Sequence, residues 1–119
     1  MISSAVRDAR DEGNPVSNAA AEIAYGAAAS IQFPARLSPS IVDNELGGIV
    51  FYWKGVHREI QIEIDSDTSH FVRIKGGNGE VSFLTEGFGA IPTDEINRSL
   101  QEWSAEQQAA TRFPGRQIA

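Results

Sequence analysis

The sequence predicts an α+β fold, a two-layer sandwich in which a four- to five-stranded antiparallel meander is packed by an N-terminal and a C-terminal helix. Three observations predict it. The first third of the chain is rich in alanine, the centre alternates apolar and polar residues, and the last third has apolar residues at helical spacing. A chain of 119 residues is expected to form one domain. Its predicted parts are a helical segment 1–33, a meander 41–84 and a helix 94–111.

The N-terminal helix is predicted over residues 17–30. Ser17 is a suitable N-cap, and residues 19–24 are mostly strong helix formers. A shorter helical turn is predicted over residues 3–11. Two prolines then predict an extended connector over residues 34–40.

The centre of the chain predicts a series of β-hairpins, because apolar residues alternate with polar ones. The first two strands carry the alternating residues Ile49, Phe51 and Trp53, followed by Ile60, Ile62 and Ile64. Between them, Gly55-Val56 has glycine at the first central position of a type II′ turn. This turn would pair Phe51 with Ile60.

Two further turns extend the meander. The segment 65–69 is rich in turn formers and leads into a strand over residues 70–75, so that Ile64 pairs with His70. The glycine-rich segment 76–79 then predicts another hairpin.

The fourth strand of the meander would pair Val72 with Phe83, which places Phe71 beside Leu84. A short fifth strand is predicted at Ile41-Val42, next to the first. The face predicted to be buried consists of Ile49, Phe51, Trp53, Ile60, Ile62, Ile64, Val72, Ile74, Val81 and Phe83.

The C-terminal helix is predicted to begin after Thr93, a suitable N-cap, and to run to about residue 111. Ile96, Leu100 and Trp103 form its apolar stripe. The two helices are expected to cover the isoleucine-rich face of the sheet.

Charge and composition argue against several classes of function. The net charge is −6, and no third of the chain carries a net positive charge, so direct binding to nucleic acid or to anionic membranes is not expected. The sequence has no cysteine and no long apolar run. It therefore predicts neither thiol chemistry nor a membrane span, and it suits the cytoplasm.

No motif predicts catalysis, a cofactor or a metal. Glu59 and Glu63 lie roughly 13 Å apart along a strand, too far for a glycosidase pair. His57 and Glu59 alone do not make a metal site. The segment 65–69 lacks the glycine and glutamate of a calcium loop, and the glycines of 76–79 precede no helix.

The second face of the sheet is predicted to bind a partner protein. Aromatic and apolar residues interrupt its charged residues, as is typical of docking surfaces. Its glutamates favour a partner with a basic surface. The predicted partner-binding residues are Tyr52, Glu59, Glu63, Phe71 and Leu84. The alternative is that residues 1–14 or 85–92 cover these side chains.

Nearly half of the chain resembles a group of small bacterial proteins of uncharacterised function. The shared pattern is a helix, a proline-rich connector, G-G-[IV]-x-[FL]-x-W and a strand reading I-x-I-E-I. The matching segments are Asn14-Pro15-Val16-Ser17, Pro39-Ser40-Ile41, Gly47-Gly48-Ile49-Val50-Phe51-Tyr52-Trp53 and Ile60-Gln61-Ile62-Glu63-Ile64-Asp65. This group is similar to antitoxin-like accessory proteins from mobile-element and defence-associated gene neighbourhoods. The resemblance implies a binding function and no catalytic residues.

These observations favour a non-enzymatic module that binds and modulates another protein, as an antitoxin, immunity protein or inhibitor does. One alternative is a regulatory domain that holds a small molecule between the sheet and the N-terminal helix, in a pocket lined by Phe51 and Trp53. Another is a structural homodimer that associates through an edge strand or the second face.

Overall fold

The computed structural model describes residues 2–32 and 37–112, which form three α-helices and one five-stranded antiparallel sheet. The elements in chain order are α1 (Ile2–Asp11), α2 (Asn18–Ser30), β1 (Ser40–Asp43), β2 (Ile49–Lys54), β3 (Glu59–Ile64), β4 (Ser69–Lys75), β5 (Val81–Phe88) and α3 (Thr93–Arg112). The strand order is β1-β2-β3-β4-β5. The predicted α+β class and the meander are therefore confirmed. The connector predicted over residues 34–40 lies partly outside the described residues.

A capping serine marks the start of α2, and a glycine follows the end of α1. Ser17 is the N-cap of α2, as predicted, and its Oγ accepts a hydrogen bond from the backbone N of Ala20 at 3.1 Å. The same Oγ donates to the carbonyl of Ser66 at 3.0 Å, which ties the helix to the β3–β4 turn. Helix α1 ends at Asp11, and Gly13, two residues later, has a φ of +86°, the left-handed conformation that glycine adopts after a helix C-terminus.

The core lies between one face of the sheet and the helices. The inward residues of β2 and β3 are buried at every second position, and His70, Val72 and Ile74 continue this face in β4. Helix α2 contributes small side chains, Ala20, Ala24 and Ala27, while α3 contributes Ile96, Leu100 and Trp103. The buried indole N–H of Trp53 donates to the carbonyl of Leu37 at 3.0 Å, so it is satisfied within the core.

The predicted pairing of β3 with β4 is confirmed, with Ile64 opposite His70. The pairing predicted for β2 and β3 is wrong by two residues, since Phe51 lies opposite Ile62 and not Ile60. Gly55 does not open the turn. Its N–H donates to the carbonyl of Arg58 at 2.8 Å, so the turn lies beyond it. A slip of two residues returns each side chain to the same face, which is why the buried residues of these strands are still those predicted.

The pairing predicted for β4 and β5 is also wrong, because a β-bulge occurs between Ile74 and Lys75. Ile74 lies opposite Phe83, whereas Lys75 lies opposite Val81. The bulge turns Val81 out of the predicted buried face, and its side chain is 51% exposed.

The same shift separates the predicted pair Phe71 and Leu84. Phe71 lies opposite Glu86, and Leu84 lies opposite Arg73. In addition, β5 continues to Phe88, beyond the predicted end of the meander at residue 84.

Candidate functional site

The face of the sheet that points away from the core is called the outer face. All five residues predicted to bind a partner lie on it. The residues of the outer face are Ser40, Val42, Val50, Tyr52, Lys54, Glu59, Gln61, Glu63, Ser69, Phe71, Arg73, Lys75, Val81, Leu84, Glu86 and Phe88. Most are half-buried among their neighbours, whereas Leu84 and Phe88 are 60% and 72% exposed.

The strand register arranges these side chains in rows that cross the sheet. One row runs through Ser40, Tyr52, Gln61, Arg73 and Leu84. The next row runs through Val42, Val50, Glu63, Phe71 and Glu86. Tyr52 and Phe71 therefore lie in adjacent rows and on strands separated only by β3, so one partner surface can contact both.

Glu59 is occupied within the sheet. Its carboxylate accepts a hydrogen bond from Arg73 and lies 3.8 Å from the Nζ of Lys75, and its side chain is only 17% exposed. The guanidinium of Arg73 also donates to Gln61 at 3.3 Å. Glu59 thus holds two cations of β4 in place, and its charge is already balanced.

Glu63 is oriented by Asn44, a residue that the sequence did not single out. The Nδ2 of Asn44 donates to Glu63 at 3.0 Å and to Asp65 at 3.1 Å. Its Oδ1 accepts from the backbone N–H groups of Leu46 and Gly48 at 2.9 and 2.8 Å. One amide therefore joins the β1–β2 turn to the carboxylates of Glu63 in β3 and of Asp65, which directly follows β3.

The close approach of this turn to β3 requires glycine at position 48. A Cβ on Gly48 would lie 2.3 Å from the carbonyl oxygen of Ile64 and 2.6 Å from the Nδ2 of Asn44. The preceding Gly47 has a φ of +86°. The glycine pair of the sequence motif is thus explained by backbone geometry.

The charges of the sheet are segregated between its two ends. The acidic end carries Asp43, Glu45, Glu63, Asp65, Asp67 and Glu86. Among the described residues of the strands and turns at this end there is no lysine or arginine. The basic end carries Lys54, Arg58, Arg73 and Lys75, together with Glu59 and Glu80.

The outer face as a whole carries equal numbers of acidic and basic side chains. Its three carboxylates, Glu59, Glu63 and Glu86, are matched in number by Lys54, Arg73 and Lys75. The acidic character is confined to one end.

The carboxylate of Asp67, in the turn at the acidic end, is held in its charged form. The Oγ and the backbone N–H of Ser69 donate to Asp67 at 2.6 and 3.0 Å. These hydrogen bonds, that from the side chain most strongly, lower the pKa of Asp67. The acidic end therefore keeps this charge to a lower pH than an ordinary aspartate would.

Neither of the two segments considered as covers lies over the outer face. Ile2, Ala5 and Ala9 of α1 pack into the core cluster on the opposite side of the sheet. Residues 85–88 are part of β5 itself, and Ile91 is buried in the core. Within the described ranges, the outer face is open.

The small-molecule alternative requires a pocket between the sheet and the N-terminal helix that is lined by Phe51 and Trp53. Phe51 and Trp53 are buried in the core. A groove of about 270 Å³ lies between α1, α2 and the residues before β1, and one of about 420 Å³ lies between α2 and the segment that follows β5. Neither is lined by Phe51 or Trp53.

The described part of the chain has neither a metal-binding cluster nor a helix that could span a membrane. No three histidine, aspartate or glutamate side chains there are grouped so that they could hold a metal ion. None of the helices there has the length and apolar character needed to cross a membrane.

We compared the chain with protein-family models, with curated proteins and with solved structures, and none of these comparisons found a match.

Proposed function

We propose that this chain is a non-enzymatic interaction module that binds and modulates a partner protein with a basic surface, as an antitoxin, immunity protein or inhibitor would, in the cytoplasm. The observation that carries the proposal is the outer face. It brings together all five residues predicted from the sequence, and apolar side chains remain exposed on it. Such mixed apolar and charged patches are typical of protein interfaces.

The apolar contacts are assigned to Tyr52, Phe71 and Leu84. Tyrosine and phenylalanine contribute large contact areas at little cost in side-chain entropy, so they are frequent anchors of interfaces. Tyr52 and Phe71 are half-buried by their neighbours, which keeps their rings in place before a partner arrives.

The charged contacts are assigned to the acidic end. Glu63 lies directly opposite Phe71, and Glu86 lies opposite Phe71 on the other side. A basic residue of a partner that packs on the Phe71 ring therefore meets carboxylates on both sides. Glu59, in contrast, supports the interface by positioning Arg73 and Lys75.

The resemblance to antitoxin-like accessory proteins agrees with a binding role. The residues that carry the resemblance include Glu63, which lies on the outer face, and Gly48, which brings the β1–β2 turn next to β3.

The proposal is tested by affinity capture with the tagged chain, followed by mass spectrometry. The test variant is Tyr52→Ala with Phe71→Ala, and the matched control is Val56→Ala, an exposed apolar residue in the β2–β3 turn. We expect a protein that wild type and the control capture and the double variant loses. Equal capture by all three would show that the outer face is not the binding surface.

The charge of the partner is tested with the captured protein in purified form. Glu63→Gln keeps an oxygen that can accept the hydrogen bond from Asn44 and removes only the charge. We expect this variant to bind ~3- to 10-fold more weakly at low salt, and the difference to shrink in high salt. Unchanged affinity in both buffers would contradict the assignment of a basic partner.

A further inference from the structure

The two edges of the sheet differ. The edge strand β1 has four residues, and α1 packs against it. The other edge strand, β5, has eight residues and is the least buried strand of the sheet. Within the described residues, no other strand pairs with the outer edge of β5.

The hydrogen bonds of the turns show which backbone groups of β5 point to this edge. The N–H of Asp65 donates to the carbonyl of Ser69 at 2.8 Å, so the backbone groups of Ser69 point to β3. The N–H of Gly76 donates to the carbonyl of Glu80 at 2.8 Å, so the backbone groups of Gly76 point to β5. The backbone N–H and C=O groups of successive residues in a strand point to opposite sides. Those of His70 therefore point to β5.

By the same alternation, the backbone groups of Val72 and Ile74 also point to β5. The partners of Ile74, Val72 and His70 in β5 are Phe83, Thr85 and Gly87. Their backbone groups are directed to β4. The N–H and C=O groups of Leu84, Glu86 and Phe88 must then be directed to the free edge. Their side chains lie on the outer face, where Leu84 and Phe88 are exposed.

The sequence of β5 does little to block pairing with another strand. Natural edge strands are commonly protected by proline, by lysine, by short length or by a covering element. β5 contains neither proline nor lysine, and Glu86 is its single charged residue. Its bulge lies at the beginning of the strand, which leaves the later residues regular.

We propose that β5 pairs with β5 of a second copy of this chain, antiparallel and about a two-fold axis at Thr85, so that the two sheets become one sheet of ten strands. In this register Leu84 lies opposite Glu86 of the second copy, and Phe83 lies opposite Gly87 of the second copy. Up to about eight backbone hydrogen bonds would form along Ser82–Phe88.

Charge complementarity favours a second copy as the occupant. An antiparallel two-fold pairing brings the acidic end of one sheet next to the basic end of the other. The carboxylate of Glu86 would lie in the row that contains Leu84 and Arg73 of the second copy, roughly 10 Å from the Cα of that arginine. The attraction acts twice, once on each side of the axis.

Two neighbouring registers are less favourable. An axis at Glu86 would place two glutamates directly opposite each other. An axis at Leu84 would place Phe88 opposite Glu80, which precedes β5 and whose carbonyl accepts a hydrogen bond from Gly76, so the ladder would be shorter. The axis at Thr85 avoids both problems, and it covers Gly87 with an aromatic ring, a pairing that stabilises glycine in strands.

This inference does not depend on the proposed function. It concerns the backbone edge of β5, and its test uses the purified chain alone. A variant that loses partner capture but still dimerises, or one that captures the partner but no longer dimerises, would distinguish the dimer from the proposed function.

The first experiment uses cysteine cross-linking, since the chain contains no cysteine. Residues that oppose each other at a two-fold axis have Cα atoms close enough for a disulfide. We expect Thr85→Cys to form a disulfide dimer at least ~10-fold faster than Val56→Cys under mild oxidation, because pairing raises the local thiol concentration. Equal rates would overturn the proposal, and so would Leu84→Cys cross-linking faster than Thr85→Cys.

The second experiment measures sedimentation over a concentration series. Glu86→Pro removes an N–H directed to the free edge and no hydrogen bond to β4, while Glu86→Gln keeps the N–H. We expect wild type to dimerise and Glu86→Gln to dimerise somewhat more weakly, because it loses only the charge attraction to the second copy. The proline variant, folded by circular dichroism, should have a dissociation constant at least ~10-fold higher than that of Glu86→Gln. A monomeric wild type, or a proline variant that dimerises like wild type, would overturn the proposal.

Discussion

Gly55 lies directly against the indole ring of Trp103. A Cβ on Gly55 would come within 2.8 Å of the Cζ2 atom of that ring. Trp103 is buried and belongs to α3, so this contact seats the C-terminal helix on the end of the β2–β3 hairpin. Arg58, three residues further along the hairpin, forms an ion pair with Glu106 one helical turn beyond Trp103.

Gly55→Ala is expected to destabilise the fold by ~1–3 kcal/mol, because a methyl group there must displace a packed ring. The free energy of unfolding in urea measures this. The matched control is Gly26→Ala in α2, where a Cβ meets nothing within 4 Å and alanine favours the helix, so a gain of ~0.5–1 kcal/mol is expected. Equal effects of the two substitutions would contradict the Trp103 contact.

Asn44→Asp is expected to destabilise the fold by ~1–3 kcal/mol at neutral pH, because it replaces a donor to Glu63 and Asp65 with a third carboxylate. The loss should shrink in acid, where carboxylates take up protons. Urea unfolding at pH 7 and at pH 4 measures both effects. Asn44→Ala is the control, since it removes the hydrogen bonds without adding charge. If both variants lost the same stability with the same pH dependence, this explanation would be contradicted.

The ion pair of Arg58 and Glu106 predicts a dependence of stability on pH. Arg58 donates from Nε to Glu106 at 2.8 Å, and this hydrogen bond lowers the pKa of Glu106 below its usual 4.5. A lowered pKa in the folded state adds stability above the unfolded value, and this stability is lost as the pH falls through the folded value.

Glu106→Gln should therefore be less stable than wild type at pH 7, by no more than ~1 kcal/mol because Glu106 is exposed. The difference should vanish at pH values well below 4.5. Thermal unfolding of both proteins across this range provides the measurement. A difference that stays constant with pH would mean that the charge of Glu106 does not contribute.

Two phenylalanines distinguish the faces of the sheet. Phe51 is fully buried, and Phe88 is largely exposed. Phe51→Ala is expected to cost ~3–5 kcal/mol, whereas Phe88→Ala should change the stability of the monomer by less than ~0.5 kcal/mol. Urea unfolding at low protein concentration checks both, and similar losses for the two variants would show that the faces are assigned wrongly.

Much of the fold could be predicted because strand alternation and turn chemistry act locally. The pairing of Ile64 with His70 follows from a turn whose residues are visible in the sequence. The turn at Gly55 was misplaced, because glycine was interpreted as a turn residue when its role is to accommodate Trp103. That contact joins residues 48 positions apart, so no local pattern contains it.

The sequence predicts which residues of the candidate site share a face, but it does not predict which of them are neighbours. Alternation along each strand places Tyr52, Glu63 and Phe71 on one face in every register that keeps the apolar residues of the strands together on the other. The bulge after Ile74 decides which residue lies beside Phe71, and alternation alone does not reveal a bulge. Asn44 was missed because its hydrogen bonds depend on two strands meeting at one point.

The short length of β1 and the packing of α1 against it limit how far strand addition can go. Fibrils grow when each added molecule offers a fresh edge to the next. A copy that joins through β5 uses its long edge, and the remaining edge is a four-residue strand beside a helix. In the proposed dimer, pairing through β5 therefore ends at two molecules, because neither copy offers a second long edge to a third.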